Sequence, residues 1–567
     1  MHRHSSLHDN GDSLQAEPNS LPFLHPSLRH HLGLRLPRPP PPLRGESTRS
    51  SNIYDDPKII RESPECPDFY KYIYYDLKPW AKSRISRAHV TEAQKFAAFR
   101  VVIVQGKLYV DFYFACVQSR AMFTIWGLLQ LIRKYPGKIP DVDLMFDCMD
   151  KPTINRTENA EMPLPLFRYC TTPQHFDIPF PDWSFWGWSE INIGPWDEEF
   201  NNIKQGSKLR SWARKWPVAY WKGNPDVSSP IRTELLQCND TRMWRAQIFR
   251  QDWLEEAKSG FEQSKLSNQC QHRYKIYAEG YAWSVSLKYI LACGCVPLII
   301  TPEYEDFFSR GLIPKQHYWP IPPFDMCRSI KVAVEWGNDH LYEAAGIGKA
   351  AQEFMENLSM DRIYDYMYHL IREYAKLQDF VPVPPSSAQE VCLDSVLCFA
   401  DEKQREFLER TTAFPSPTPP CTLPPPDMKL LKKAMKMKRK IIDNLPLSGF
   451  SRNSSPQREL TCHLSYPIGL LSLVVRQQWQ GQRWLGSAAA GDDDDQLRRS
   501  SILSALSHSS GQHRAAAGDS DDQLLRSSFL SRIISFFPEA SCSSSGDEPL
   551  LFVDSGGHHH TRTKHLS

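Results

Sequence analysis

The sequence predicts an α/β protein built on a parallel β-sheet. One observation is the segment 274–300, which reads as strand, helix and strand within about 27 residues. A second is the segment 219–236, in which a strand leads through a Ser-Pro turn into a helix. The third observation is size, which bears on the number of domains. The dense block between about 51 and 410 exceeds what one core usually holds, about 250–300 residues, and is large enough for two domains.

The segment 274–300 gives the clearest element boundaries. YKIYAEG is typical of a short strand ending at Gly280, and SVSLKYILACG of a buried helix with Ser284 as its cap and Gly294 as its stop. VPLII is a continuous apolar run, which indicates a strand covered on both faces. A ligand is therefore expected at the carboxyl ends of these strands.

The segment 219–236 places polar residues at a strand end and a helix start. The strand is predicted to end at Lys222 and Gly223, and the helix to begin near Ile231. Ser229 and Arg232 then lie at the helix N-terminus, where backbone N–H groups and cations suit a diphosphate. A capped helix with surface charge explains this segment equally well.

Carboxylates follow a predicted buried strand at 144–146. Asp147 and Asp150 lie at its carboxyl end and are candidate general bases. Asp141 and Asp143 offer oxygen ligands for Mg²⁺ or Mn²⁺, but they precede the strand, at the edge opposite the expected ligand. The sequence therefore favours the base over a metal site.

The segment 181–199 is rich in tryptophan. Trp183, Trp186 and Trp188 have flat faces that can stack on sugar rings beside acidic and amide side chains. A structural aromatic cluster is at least as well supported for most of them.

Charge, cysteines and targeting signals limit the partners and the compartment. The formal net charge of +2 excludes nucleic-acid binding through bulk basicity. No run of about 18–20 apolar residues predicts a transmembrane helix, and the first residues do not resemble a signal peptide. Fourteen cysteines without CxxC pairs do not indicate zinc. With four N-x-S/T sequons, dispersed cysteines favour a secretory lumen, so the location stays open.

Several motifs together carry a resemblance to a known family. The central block, over about 60–410, resembles the Rumi-type protein O-glucosyltransferases of glycosyltransferase family 90, which share the CAP domain, and most of all their plant branch. The motifs are CPDFYKYIYYDLKPW (66–80), LMFDCMDKP (144–152), PDWSFWGW (181–188), YWKGNPDVSSPIR (220–232), AEGYAWSVSLKYILACGCVPLII (278–300) and the helical segment 347–377.

The resemblance implies a GT-B-like fold, with two Rossmann-like lobes facing across a cleft. It also implies a UDP-sugar donor, inverting transfer, and no cofactor or essential metal. Asp150 is the expected general base, and Trp183, Trp186 and Trp188 the expected acceptor- or sugar-stacking residues. The expected donor-binding residues are Lys222, Gly223, Ser229, Arg232, Gly280, Ser286 and Lys288.

One departure from the family concerns positive charge. Family members that act on proteins carry a second arginine where this chain has Ser286, and Lys288 is expected to supply the charge instead. A lysine provides a point charge rather than a planar fork, which alters the donor geometry. Asp150 and Arg232 are expected to face each other across one cleft, with Lys288 lining it.

The implied organisation has six parts. They are a Pro/His-rich tail at 1–50, an acceptor and catalytic-base lobe at 51–215, a donor lobe at 216–345, C-terminal helices at 346–410, a Pro-rich linker at 411–427, and a low-complexity tail at 428–567. The tail begins with the basic segment 429–445, interpreted either as a solvated helix or tail, or as a targeting or anionic-surface patch.

The expected function is transfer of glucose or xylose from a UDP-sugar to a hydroxyl group, with serine on a protein as the favoured acceptor. A cell-wall or other glycan acceptor is one alternative, and a non-catalytic sugar- or protein-binding descendant is another. The family implies the lumen of the endoplasmic reticulum or Golgi, although no signal or anchor is visible in the sequence.

Overall fold

The computed structural model describes residues 64–444, which form one compact unit. The predicted tail at 1–50 and the part of the 428–567 tail beyond residue 444 lie outside the described residues. The α-helices are Tyr72–Asp76 (α1), Trp80–Ser83 (α2), Arg87–Ala93 (α3), Arg120–Lys134 (α4), Trp196–Ser207 (α5), Pro230–Leu235 (α6), Trp253–Lys258 (α7), Ser286–Ala292 (α8), Met326–Asp339 (α9), Leu341–Glu356 (α10), Met360–Ala375 (α11), Leu393–Phe399 (α12), Glu402–Arg410 (α13) and Met428–Asp443 (α14). The strands are Phe99–Val104 (β1), Lys107–Phe112 (β2), Val142–Phe146 (β3), Phe167–Arg168 (β4), Ile178–Pro179 (β5), Trp216–Gly223 (β6), Ala246–Arg250 (β7), His272–Tyr277 (β8), Val296–Ile300 (β9), Trp319–Ile321 (β10) and Gln389–Val391 (β11).

The second half of the described chain contains the predicted parallel sheet. Its strands run in the order β10-β9-β8-β6-β7, and every neighbouring pair is parallel. The strand–helix–strand prediction at 274–300 is confirmed as β8, α8 and β9. β9 is buried on both faces, since Val296, Leu298 and Ile300 join one hydrophobic core and Ile299 joins the other.

The first half forms a mixed sheet. Its order is β11-β2-β1-β3-β4-β5, in which β1 is antiparallel to both β2 and β3, while β3, β4 and β5 are parallel. The antiparallel pairing follows from the tight connection between β1 and β2, where Gln105 and Gly106 both have positive φ. This sheet therefore differs from the Rossmann-like sheet that the resemblance implied, and the described part of the chain is a mixed α/β structure.

The Pro-rich segment 411–427 is not a free linker. Cys421 forms a disulfide bond with Cys66, and the neighbouring Thr422 exchanges backbone hydrogen bonds with the segment around residue 66. Ser416 N–H also donates to the carbonyl of Lys134 at the end of α4. The segment is therefore fastened across the first half of the fold. The predicted boundaries at 215 and 345 stay predictions.

Disulfide bonds and the absence of long apolar helices characterise the described part of the chain. Besides Cys66–Cys421, the bonds are Cys116–Cys148, Cys238–Cys327 and Cys270–Cys293. Among residues 64–444, no helix has the length and hydropathy needed to span a bilayer.

Candidate active site

One cavity of about 810 Å³ lies between the ends of the two sheets. Its wall includes residues that follow β3 of the mixed sheet and residues that follow β6 and β8 of the parallel sheet. Among the residues predicted from the sequence, its lining contains Asp150, Trp183, Trp188, Lys222, Gly223, Arg232, Gly280 and Ser286. Asp150 and Arg232 therefore share one cavity, while Ser229, Trp186 and Lys288 are not part of its lining.

Asp150 is held at the cavity wall by an arginine. Arg120 at the start of α4 donates from Nη1 to Asp150 Oδ1 at 2.7 Å and to the carbonyl of Cys148 at 3.0 Å. The Arg120 guanidinium also lies 4.2 Å from the ring centre of Trp183. The Asp150 side chain is 35% exposed, so its carboxylate is oriented yet accessible from the cavity.

The loop that carries Asp150 is fixed at two further points. Cys148 is bonded to Cys116, and the Cys170 thiol donates to the Asp150 carbonyl at 3.2 Å. Sequence reasoning did not identify Arg120, because a helix-initiating arginine 30 residues away carries no local signal of its partner.

Asp147 has a structural role, although the sequence offered it as a second candidate base. Its carboxylate is buried in an ion pair with Arg168. Burial raises the pKa of Asp147, and the Arg168 charge opposes that rise. Asp147 is not part of the cavity lining, so of the two candidate bases that follow β3, Asp150 is the one available to a substrate.

Asp141 and Asp143 lie at the opposite end of β3 and have protein partners. Asp143 Oδ1 accepts from Arg100 Nε at 2.8 Å, and Asp141 Oδ1 accepts from the Gln105 N–H at 2.7 Å. Neither carboxylate lines the cavity.

Arg232 is a half-buried cation with neutral partners. Its guanidinium donates to the carbonyls of Asn224 at 2.8 Å and Glu279 at 3.1 Å, and to Ser284 Oγ at 3.3 Å. No carboxylate oxygen among residues 64–444 lies within ion-pair distance of Arg232. Burial lowers the pKa of Arg232 from its usual value. A half-buried cation without a counter-ion at a cavity wall is suited to binding an anion.

Gly280 makes room for this guanidinium. A Cβ atom at position 280 would lie 3.3 Å from Arg232 Nη2, which is closer than most such contacts, and 3.5 Å from its Cζ, which is an ordinary contact. The small residue therefore sets the position of the cation.

Ser229 supports Arg232 from behind the cavity. Its hydroxyl donates to the Glu279 carbonyl at 2.8 Å and accepts from the Arg232 N–H at 3.3 Å, so it caps α6. The side chain is buried and belongs to a separate surface depression, so it does not line the cavity, and its predicted contact with a donor stays a prediction.

Lys222 and Ser286 both line the cavity, but they have different partners. Lys222 Nζ is paired with Glu256 at 2.6 Å and donates to the Gln263 carbonyl at 2.8 Å, so its charge is already neutralised. Ser286 Oγ lies 2.9 Å from Ser284 Oγ, which in turn accepts from Arg232. Ser286 thus belongs to the same polar network as Arg232.

Lys288 does not line the cavity, contrary to the prediction. Only 1% of its side chain is exposed, and its ammonium donates to Ser184 Oγ at 2.6 Å and lies 3.5 Å from Asp182. Burial lowers the pKa of Lys288, and the Asp182 charge opposes that shift. Lys288 therefore joins α8 to the segment after β5, to one side of the residues of α8 that line the cavity.

The three predicted stacking tryptophans have different environments. Trp186 is 0% exposed, and its indole N–H donates to the Tyr364 hydroxyl at 3.0 Å, so no face is free for a sugar. Trp183 is buried although it belongs to the cavity lining, whereas Trp188 is half-buried at the cavity wall. The exposed aromatic ring in the lining is Tyr281, at 49%, which sequence reasoning missed.

Comparison with known proteins gives consistent matches. The sequence model described as Glycosyl transferase family 90 matches residues 61–445. An O-glucosyltransferase rumi homolog of Aedes aegypti is 26% identical over 316 residues, which cover 53% of this chain and 76% of that protein. Protein O-glucosyltransferase 1 of Bos taurus is 24% identical over 336 residues, covering 56% and 82%. O-glucosyltransferase rumi of Drosophila melanogaster is 20% identical over 337 residues, covering 57% and 80%.

Proposed function

Because the chain belongs to glycosyl transferase family 90, and is therefore a glycosyltransferase, we propose that it transfers glucose from a UDP-sugar to a hydroxyl group on a protein. The names of its relatives, O-glucosyltransferase and Protein O-glucosyltransferase 1, support glucose and a protein acceptor. The observation that carries the proposal is the placement of Asp150 and Arg232 on the wall of one cavity.

In the proposed reaction Asp150 is the general base. It takes the proton from the acceptor hydroxyl while that oxygen forms a bond to the anomeric carbon of the sugar. The bond from that carbon to the diphosphate breaks on the opposite face, so UDP leaves with the electron pair and the anomeric configuration inverts. Arg120 holds Asp150 by one carboxylate oxygen, which leaves the other for the acceptor.

Arg232 stabilises the leaving group in this proposal. Negative charge grows on the diphosphate as the bond breaks, and a preorganised cation in a site of low dielectric lowers the barrier. The Arg232 guanidinium is fixed by neutral carbonyls and has no counter-ion among the described residues, so a diphosphate has no carboxylate to displace. Gly280 and Ser286 keep this guanidinium in position.

We propose no essential metal for the transfer. The charge that a divalent ion contributes in many nucleotide-sugar enzymes is supplied here by Arg232. Asp141 and Asp143, the acidic pair considered for a metal, bond to Gln105 and Arg100 at the far end of β3. Activity that persists in EDTA is the expected result.

The proposal also extends to fold and compartment. The two sheets, with a cavity between their ends, support a GT-B-like arrangement with the donor on the parallel sheet. Four disulfide bonds support an oxidising compartment, such as the lumen of the endoplasmic reticulum or Golgi. The relation to the plant branch stays a prediction.

The test is UDP release by the purified full chain. UDP-glucose and UDP-xylose are each offered with a folded protein domain and with a glycan as acceptors. Asp150→Asn is expected to lower the transfer rate about 10²–10⁴-fold, because it removes the base. Asp141→Asn, at the other end of the same strand, is the matched control and is expected to change the rate less than about twofold.

Three results would distinguish the alternatives. Equal activity of the Asp150→Asn enzyme contradicts the assigned base. Transfer to the glycan alone, or from UDP-xylose alone, supports the other transferase specificities. A folded chain that binds UDP without releasing it from any donor supports a non-catalytic descendant.

A further inference from the structure

The helix α14, at Met428–Asp443, presents two different faces. Its inner face packs on the protein through Leu431, which is buried, and Met435, which contacts the large core. Asp427 caps its first turn by accepting from the Leu430 N–H at 2.8 Å. The basic segment is thus an ordered helix, and its outer face is available to a partner.

The outer face carries a stripe of positive charge. Lys429, Lys433, Lys436 and Lys440 recur at spacings of three and four residues, so they lie along one side of the helix, and all are exposed. No carboxylate among residues 64–444 lies within ion-pair distance of these four lysines.

Some exposed lysines elsewhere on the protein have acidic partners. Examples are Lys258, Lys349 and Lys376, each paired with a glutamate on its own helix or at its end. The stripe on α14 differs from these pairs because it places on one helix face four lysines without an ion pair among the described residues, although the whole chain is nearly neutral.

A second, apolar stripe runs beside the lysines. Leu430 is 51% exposed and Met437 64% exposed, and they lie seven residues apart on one side of the helix, in line with Ala434 and Ile441. A helix that exposes an apolar stripe next to a basic stripe is typical of helices that lie in the interface of a bilayer, with lysines at the headgroups and apolar side chains below them.

We propose that the outer face of α14 docks the enzyme on an anionic lipid surface. The positive stripe is complementary to acidic headgroups, and the apolar stripe favours a bilayer over a soluble polyanion. A targeting signal or a solvated helix, the other interpretations of this basic segment, gives the exposed apolar stripe no role, whereas a bilayer interface uses both stripes.

Vesicle flotation of the full chain tests the proposal. The wild-type protein is expected to bind phosphatidylcholine vesicles that contain about 30% phosphatidylserine, to bind vesicles of phosphatidylcholine alone much more weakly, and to dissociate at about 0.5 M salt. The triple change Lys433→Gln, Lys436→Gln and Lys440→Gln is expected to weaken binding about 100-fold, at about fivefold per lysine.

Two controls separate charge from folding and position. The triple change Lys258→Gln, Lys349→Gln and Lys376→Gln removes the same charge elsewhere and is expected to alter binding less than about threefold. Replacing the three α14 lysines by arginine keeps the charge and is expected to keep vesicle binding. The thermal midpoint of every variant is measured, because the changes lie on exposed positions and are expected to leave it unchanged.

The pair Leu430→Gln and Met437→Gln distinguishes a bilayer from a soluble polyanion. It is expected to weaken vesicle binding about tenfold and to leave retention on heparin unchanged. The proposal is overturned if the wild-type protein does not float with the anionic vesicles, or if the control triple loses as much binding as the α14 triple. It is also overturned if the Leu430 and Met437 changes leave vesicle binding intact, because a polyanion is then the partner.

Discussion

Replacing Arg232 by lysine tests the donor site most directly. The change keeps a positive charge but removes the planar fork, so a diphosphate loses one of two parallel hydrogen bonds. A hydrogen bond to a charged group contributes about 1.5–3 kcal/mol. The expected loss in kcat/KM is therefore about 10- to 150-fold.

The structure also predicts how this loss divides between binding and catalysis. If Arg232 stabilises the departing diphosphate, the lysine variant lowers kcat as well as raising KM for the UDP-sugar. The product UDP, which carries the same diphosphate, is expected to bind more weakly in a calorimetric titration. Arg232→Met removes the charge too, and its kcat/KM is expected to fall further than that of the lysine variant.

The control is Arg250→Lys. Arg250 lies on the neighbouring strand β7, is exposed, and pairs with Asp226 away from the cavity. Its replacement is expected to change kcat/KM less than about twofold. Thermal midpoints are compared as well, because Arg232 also donates to the carbonyls of Asn224 and Glu279. A correctly folded Arg232→Lys enzyme with kcat/KM within threefold of wild type would refute the assignment of the diphosphate to Arg232.

Three further substitutions test the surroundings of the site. Gly280→Ala puts a Cβ 3.3 Å from Arg232 Nη2 and is expected to lower kcat/KM about tenfold. Gly346→Ala is the control, because a Cβ at position 346 has no neighbour within 4 Å, and it is expected to leave kcat/KM unchanged. Equal effects of the two changes would contradict the close fit at Gly280. Burial raises the pKa of Glu279 from 4.5 to about 7. Between pH 4.5 and pH 7 the folded protein therefore keeps the proton on Glu279, whereas the unfolded chain loses it. The free energy of unfolding of the wild-type protein, relative to that of Glu279→Gln, should therefore fall by up to about 3 kcal/mol as the pH rises from 4.5 to 7. Denaturant titration measures both proteins, and a rise in this difference would contradict the buried position of Glu279. Lys288→Met leaves the buried Asp182 without its ion-pair partner and is expected to cost about 3–5 kcal/mol of stability, with an unchanged KM for the UDP-sugar. A raised KM at wild-type stability would instead indicate that Lys288 contacts the donor.

The sequence was sufficient to predict elements whose signals are local. The run VPLII has to be a strand buried on both faces, and it is β9 between the two cores. Pro230 and Ser229 mark the start of α6, and both take the expected positions at its first turn. Gly294 ends α8 with a φ of 62°, the left-handed conformation that glycine adopts without strain.

The sequence was not sufficient where the role of a residue depends on a distant partner. Asp147 and Asp150 follow the same strand three residues apart, so periodicity treats them alike. Their roles differ because Arg168 buries one in an ion pair while Arg120 holds the other at the cavity. Those arginines come from other elements, and no spacing rule connects them to the acids.

The same limit explains the error for Lys288 and Trp186. Lysine is rarely buried and tryptophan often offers a face to sugars, so residue type alone points both toward the cavity. In the fold, Asp182 and Ser184 give Lys288 a buried partner, and Tyr364 gives Trp186 one. A buried partner, which the sequence does not reveal, reverses the expectation from residue type.

The helix α14 shows that a strong composition signal can hide a weaker periodic one. Leu431, Met435, Lys438 and Ile442 recur at spacings of four, three and four residues, which is the period of a packed helix face. The run of lysines made the segment look uniformly polar, and Lys438 interrupts its apolar pattern. In the structure Lys438 is partly buried in a cavity that Glu305 and Asp306 also line, and burial lowers its pKa while those acids oppose the shift. A lysine can therefore occupy the packed face of a helix when the surface beneath it is acidic, and the four exposed lysines on the other side remain for a partner.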